Sequence, residues 1–170
     1  VVAFLLGVAV VTGVSEYQAV LTAAEQRLDS GATVTEQNLT LSLSGLEGAL
    51  RAIVGRLAPP SSDPPDLKAL GELLVDLDRD LPATRLLAVI DARGRVVADS
   101  RPELGLLGTD VSDRDYFVHH QRNLGSETFR GRPVRGRFDD AWLVPLSRAV
   151  HGADGRLRWV VMAALDPRYL

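Results

Sequence analysis

The sequence predicts an α+β domain built on one antiparallel sheet, and three observations carry that prediction. The first part of the 170-residue chain repeats leucine at helical spacing. After Pro82 the texture switches to short apolar, β-branched runs separated by glycine turns. Between the second and third of these runs lies an acidic, turn-prone segment, Asp110-Val-Ser-Asp-Arg-Asp-Tyr-Phe117, that leads into a helix-like stretch. Helices first and strands afterwards is the pattern of segregated layers rather than of a βαβ alternation.

The first 14 residues, VVAFLLGVAVVTGV, carry no charge and a single hydroxyl, Thr12. A bilayer span needs about 20 apolar residues, so residues 1–14 read as a partial transmembrane anchor, its outer half. A signal-peptide core and a buried helix are the alternatives. From 15 to 57 the pattern is that of a long amphipathic helix. Tyr17, Leu21, Ala24 and Leu28 share one face; after a weaker patch, Leu39, Leu43, Leu46, Leu50, Ile53 and Leu57 resume it. Such a helix would be about 65 Å long. Its stripe suits either a twin helix in a homodimer or the face of its own domain.

Residues 58–65 form a proline-rich linker that stops this helix. Leu67, Leu70, Leu74, Leu77 and Leu81 mark a second, shorter helix ended by Pro82, and open the lobe spanning 66–170. Residues 85–91 and 95–100 read as a hairpin around Ala92-Arg93-Gly94. A helix comes next over roughly 113–123, capped by Ser112 or Asp113. Strands over 127–130, 141–150 and 157–165 complete the sheet, the last two joined by a Gly152–Gly155 turn.

Composition removes several function classes. A formal charge of −3 and a pI near 5.6 give no basic field for nucleic acid. Zero cysteines exclude disulfides and thiolate metal sites. His119 and His120 are adjacent and point about 100° apart on a helix, so they do not chelate as an i, i+4 pair would. Asp110, Asp113 and Asp115 lack the glycine and closing glutamate of a calcium loop. We therefore expect no metal and no cofactor. Ser147 and His151 are a Ser/His pair near the later strands, with no evident orienting acid for hydrolysis.

The reading left standing is a small-molecule receiver. Arg114 offers a planar donor fork matched to a carboxylate or phosphate, and Tyr116 and Phe117 can wall a ligand. Each residue also has a structural reading. Arg114 can pair with Asp110, Asp113 or Asp139, while Tyr116 and Phe117 can be core. Arg148 points into or out of a pocket according to strand period, and Trp142 suits sheet packing. Asp166 before Pro167 can cap a helix that opens at the proline. The run RGRPVRGR, with Arg130, Arg132, Arg135 and Arg137, suits a solvated loop or a contribution to an anion pocket.

The segments VIDARGRVVADS (89–100), DVSDRDYF (110–117), WLVPLSRAV (142–150) and WVVMAALDPRYL (159–170), in this order, resemble the extracytoplasmic Cache sensor domains. The match is to the membrane-distal half of a double-Cache (PDC) unit, a PAS-like fold. It covers about 82–170, with the preceding helices matched by architecture. The resemblance implies a central antiparallel sheet, a long N-terminal helix rising from the membrane, flanking helices, and a pocket between sheet and loop-helix. It also implies a periplasmic ligand-sensing domain of an inner-membrane receptor whose output is a histidine kinase or a GGDEF diguanylate cyclase, with no catalysis in these residues.

In the amino-acid-sensing members, Arg114 matches the carboxylate-binding arginine, Tyr116 and Phe117 the aromatic pair, and Asp166 the aspartate that meets a ligand amine. Phe117 lacks the hydroxyl of that pattern, His120 replaces a small residue, and no tyrosine lies between Phe117 and Asp166. The expected ligand is therefore a small anion or carboxylate, with Arg114, Tyr116, Phe117, Arg148 and Asp166 as candidate contacts. A structural or dimerisation ectodomain without ligand is the alternative, and a small membrane-anchored enzyme a more distant one.

Overall fold

The computed structural model describes residues 43–58, 65–137 and 141–169, all within the compact unit Ser42–Leu170. The predicted anchor over 1–14, most of the long helix and most of the proline-rich linker lie outside them. No helix of the described residues is long and apolar enough to cross a membrane.

Two helices precede the sheet, α1 over 43–57 and α2 over Leu67–Arg79. The Asp66 carboxylate caps α2 by accepting from the backbone N–H groups of Lys68 and Ala69, which satisfies donors left open by the first turn. Among the described residues six strands come after them: β1 (Thr84–Asp91), β2 (Val96–Asp99), β3 (Phe129–Arg130), β4 (Val134–Arg135), β5 (Trp142–His151) and β6 (Leu157–Leu165). They form one antiparallel sheet in the order β2-β1-β6-β5-β3, with β4 pairing the start of β5. Helix α3 (Asp115–Arg122) lies between β2 and β3 in sequence.

Strand alternation divides the core in two. Leu87 and Val89 of β1 and Val161, Ala163 and Leu165 of β6 face one way, onto Leu46, Leu50, Ile53 and Leu57 of α1 and Leu70 and Leu74 of α2. The leucine stripe of 43–57 is thus spent on its own domain. Leu46, Leu50 and Ile53 are fully buried, each contributing about 1.5–3 kcal/mol. The opposite parity, Ala88 and Ile90 with Val160, Met162 and Ala164, faces α3 and the loop before it.

The loop is clamped to the first hairpin. The Val111 N–H donates to Gly94 O at 2.8 Å, and Val96 N–H to Thr109 O at 3.0 Å. Gly94 takes φ of +83°, and a Cβ there would meet the Ser112 Cβ at 2.5 Å, so only glycine fits this close approach. The cap of α3 differs from expectation. Arg114 is the N-cap, with no side-chain capping bond. Asp113 is turned outward to an ion pair with Arg137, and Ser112 is held by its N–H, which donates to the Asp110 carboxylate at 3.0 Å.

A candidate ligand cavity with an arginine rim

On the α3 face of the sheet a cavity of about 260 Å³ opens. Its floor is apolar: Leu86 and Ala88 of β1, Val96 of β2, Met162 and Ala164 of β6, Leu143 of β5. The preceding loop adds Leu106 and Val111. Its rim is basic. Arg85, Arg101, Arg114, Arg135 and Arg137 line it, against one lining carboxylate among the described residues, Glu103.

Arg114 stands at the turn into α3, where its Nη2 donates to Arg135 O at 3.2 Å. Among the described residues it has no carboxylate partner. Asp113 is taken by Arg137, Asp110 binds the Ser112 backbone, and Asp139 lies outside the described residues. Tyr116, the second residue of α3, lines the cavity and is nearly buried. Burial pushes its hydroxyl up to about 12 even though Arg114 and Arg137 act to lower it, so it remains a neutral donor.

The other three predicted contacts lie elsewhere. Phe117 is the next residue on the helix, and that rotation carries its ring into the core, where it is fully buried with Ile90 and Val160. Arg148 alternates with Leu146 and Val150, which pack on the α1–α2 side, so strand period places it on the same face as those two, away from the cavity. There its Nη1 donates to Thr128 Oγ1 at 3.1 Å. Asp166 is buried behind the rim. Its Oδ2 accepts from Arg168 Nη2 at 2.6 Å and from Nε at 3.0 Å, and lies 3.8 Å from Nη1 of the rim residue Arg85. The hydrogen bonds from Arg168 hold the Asp166 carboxyl down at about 2. It therefore stays an anion, and it acts on the cavity through Arg85.

Four rim arginines escaped the sequence reading as individuals. Arg135 and Arg137 belong to the run RGRPVRGR, and these two line the cavity. Arg130 of the same run instead donates to Glu47 of α1 at 3.1 Å. Arg85 opens β1 and Arg101 comes just after β2, where flanking polar residues give no pattern to single them out. Trp142 is not packed in the sheet core. It is 52% exposed, with the Arg135 guanidinium 5.1 Å above its ring, a cation–π contact.

Ser147 is fully buried, and its Oγ lies 2.9 Å from His120 Nε2. His120, not His151, is its hydrogen-bond partner. Burial lowers the His120 imidazole to about 4, with His119 adding to the effect, so the pair is a neutral structural contact closed to substrate. His119 stacks on Phe129 at 4.0 Å. Among the described residues no group of His, Asp and Glu is placed to hold a metal ion.

A sheet with helices on one face and a loop-helix enclosing a cavity on the other is the fold that the Cache resemblance implies. Comparison with solved structures supports that fold. The extracellular domain of rpHK1S-Z16, assigned as a histidine kinase, superposes with a TM-score of 0.66 at 26% identity over 81% of this chain and 56% of that one. The ligand-binding domain of the Pseudomonas aeruginosa amino-acid chemoreceptor PctC, solved with GABA, gives 0.59 at 18% identity over 79% and 60%. The sensor domain of the Vibrio cholerae histidine kinase DctB gives 0.57 at 16% over 91% and 58%. This chain thus spans under two thirds of each of these domains. No protein-family model matches the sequence, and no curated protein matches it.

Proposed function

We propose that this chain is the periplasmic ligand-sensing domain of a membrane-bound bacterial signal-transduction receptor and that its cavity takes a small anionic, carboxylate-bearing molecule. The receptor is a homodimer, held in the inner membrane through the N-terminal segment, with a histidine kinase or a GGDEF diguanylate cyclase as its output. One observation carries the ligand reading: Arg114, without a carboxylate partner among the described residues, lines a cavity whose floor is apolar. A guanidinium beside an apolar floor is poorly hydrated, which strengthens its hold on an anion.

The same residues supply a route for the signal. Arg114 bonds the backbone of Arg135 on β4, and Arg130 on neighbouring β3 is tied to Glu47 on α1. An anion gathered by Arg114 and Arg135 draws the α3 entry and the β3–β4 segment together, and α1 feels that shift through Glu47. A ligand moves such an equilibrium only by its differential affinity for the two positions. Thermal-shift titration of the chain against carboxylates, amino acids and purines tests the reading. Carboxylates should raise Tm in the wild type and not in Arg114→Ala; stabilisation that survives the substitution contradicts it.

A further inference from the structure

The rim arginines are not equivalent, and their differences point to a narrower ligand class. The cavity runs across the sheet from β2 to β4, with Arg85 on β1 and Arg135 on β4. Those two strands are three spacings apart, about 14 Å at ~4.8 Å each. At the β1–β2 end the positive charges already have counter-ions. Arg101 Nε lies 2.8 Å from the buried Asp78 carboxylate, and Arg85 lies 3.8 Å from Asp166. Counting exposed Arg168, three arginines there face Asp78, Asp166 and Glu103. At the β4–β5 end Arg114 is uncompensated among the described residues, and Asp113 is occupied by Arg137.

We propose that the cavity is polarised and selects a monoanion with a neutral apolar tail, such as a short fatty or aromatic carboxylic acid, over a dianion or an amino acid. The proposal rests on the reading that Arg114 anchors an acid group. The acid group sits at Arg114, and the tail lies over Leu86, Ala88, Met162 and Ala164 towards the neutralised end. A second carboxylate arriving there meets Glu103 on the rim, with Arg85 and Arg101 already engaged by Asp166 and Asp78. An α-ammonium, two bonds from the anchored carboxylate, falls beside the Arg114 guanidinium and meets no carboxylate among the described lining residues at that end. Asp166 and Asp78 are thus specificity-determining residues that act through Arg85 and Arg101.

Calorimetric titration of the chain with a matched six-carbon series tests this: hexanoate, adipate, norleucine, 6-aminohexanoate and hexanamide, with benzoate as a second shape. Hexanoate or benzoate should bind at least ~10-fold tighter than adipate, norleucine or 6-aminohexanoate, the factor that about 1.4 kcal/mol confers. Binding of any of those three as tight as hexanoate, lost in Arg114→Ala, overturns the polarised cavity and leaves the anion reading standing. Hexanamide matching hexanoate, or silence from every compound, overturns both. In Asp166→Asn, the negative charge 3.8 Å from Arg85 is removed, and adipate should gain about 10-fold on hexanoate. An unchanged ratio in folded Asp166→Asn removes Asp166 from the proposal, and should that variant not fold, the wild-type series still decides.

Discussion

At the scale of single residues, charge and burial separate the groups proposed to meet a ligand from those that hold the frame. Replacing Arg114 by alanine removes a charge-assisted bond worth about 1.5–3 kcal/mol, so anion affinity should fall roughly 10- to 100-fold. Lysine should restore part of it, as a charge without the fork. His120 makes the opposite kind of prediction. Its folded imidazole titrates near 4, against 6.5 when free, so the stability it supports is whole above about 6.5 and is lost as pH falls towards 4. Each pH unit across that window costs about 1.4 kcal/mol. His119, His151 and Arg148 all disfavour its charge, while burial raises Asp78 and Asp99 and gives those two the opposite pH trend. The comparison that isolates His120 is therefore Tm at pH 7 and pH 5 for the wild type and His120→Asn. The wild type should lose several degrees more than the variant, and equal losses would remove His120 as the cause.

At the scale of elements, the hairpin and the motif loop stand or fall together. Gly94→Ala places a Cβ at φ of +83° and against Ser112. It should cost at least ~1–2 kcal/mol from backbone conformation alone and weaken anion binding, because the displaced loop carries Arg114. Urea denaturation and ligand titration of this one variant read both effects. Leu50→Ala, on the buried face of α1, should cost about 2–5 kcal/mol and leave the cavity lining chemically unchanged.

Local sequence dictated these elements well. Short apolar, β-branched runs and glycine turns placed β1, β2, β5 and β6 within a residue or two, because those strands bury one or both faces over most of their length. The two-residue strands β3 and β4 are only partly matched by the reading of 127–130, since pairing with β5, rather than their own pattern, makes them strands. The cap of α3 was misread because Asp113, a good N-cap by type, is drawn outward by Arg137, 24 positions away.

At the scale of the whole molecule, tertiary charge pairing decides the cavity's lining, which is why a sequence reading picked out two of its residues, Arg114 and Tyr116, but not its outline. Arg114 and Tyr116 were legible from their setting beside turn-formers and an amphipathic helix. That Asp166 lies behind Arg85 instead of in the cavity depends on Arg168, whose local chelation no spacing rule distinguishes from a ligand-facing aspartate. Arg148 shows the converse: strand parity was known, but which parity faces the cavity waits on where α1 and α2 pack. The fold also joins the two faces of the sheet through Arg130 and Glu47. Glu47→Gln should therefore leave anion affinity within about fivefold of the wild type, since exposed pairs contribute only ~0.2–1 kcal/mol. It should also diminish the ligand-dependent change in hydrogen exchange along α1. An equal change in both proteins would dismiss that link.

The central claim is that Arg114 receives an anion in this cavity. Its most direct test is the 15N-edited NMR spectrum of the arginine Nε–H groups during titration with hexanoate. The account predicts a saturable shift of the Arg114 Nε–H resonance, with exposed Arg79 on α2 unmoved. Saturable binding that leaves the Arg114 resonance in place would contradict it.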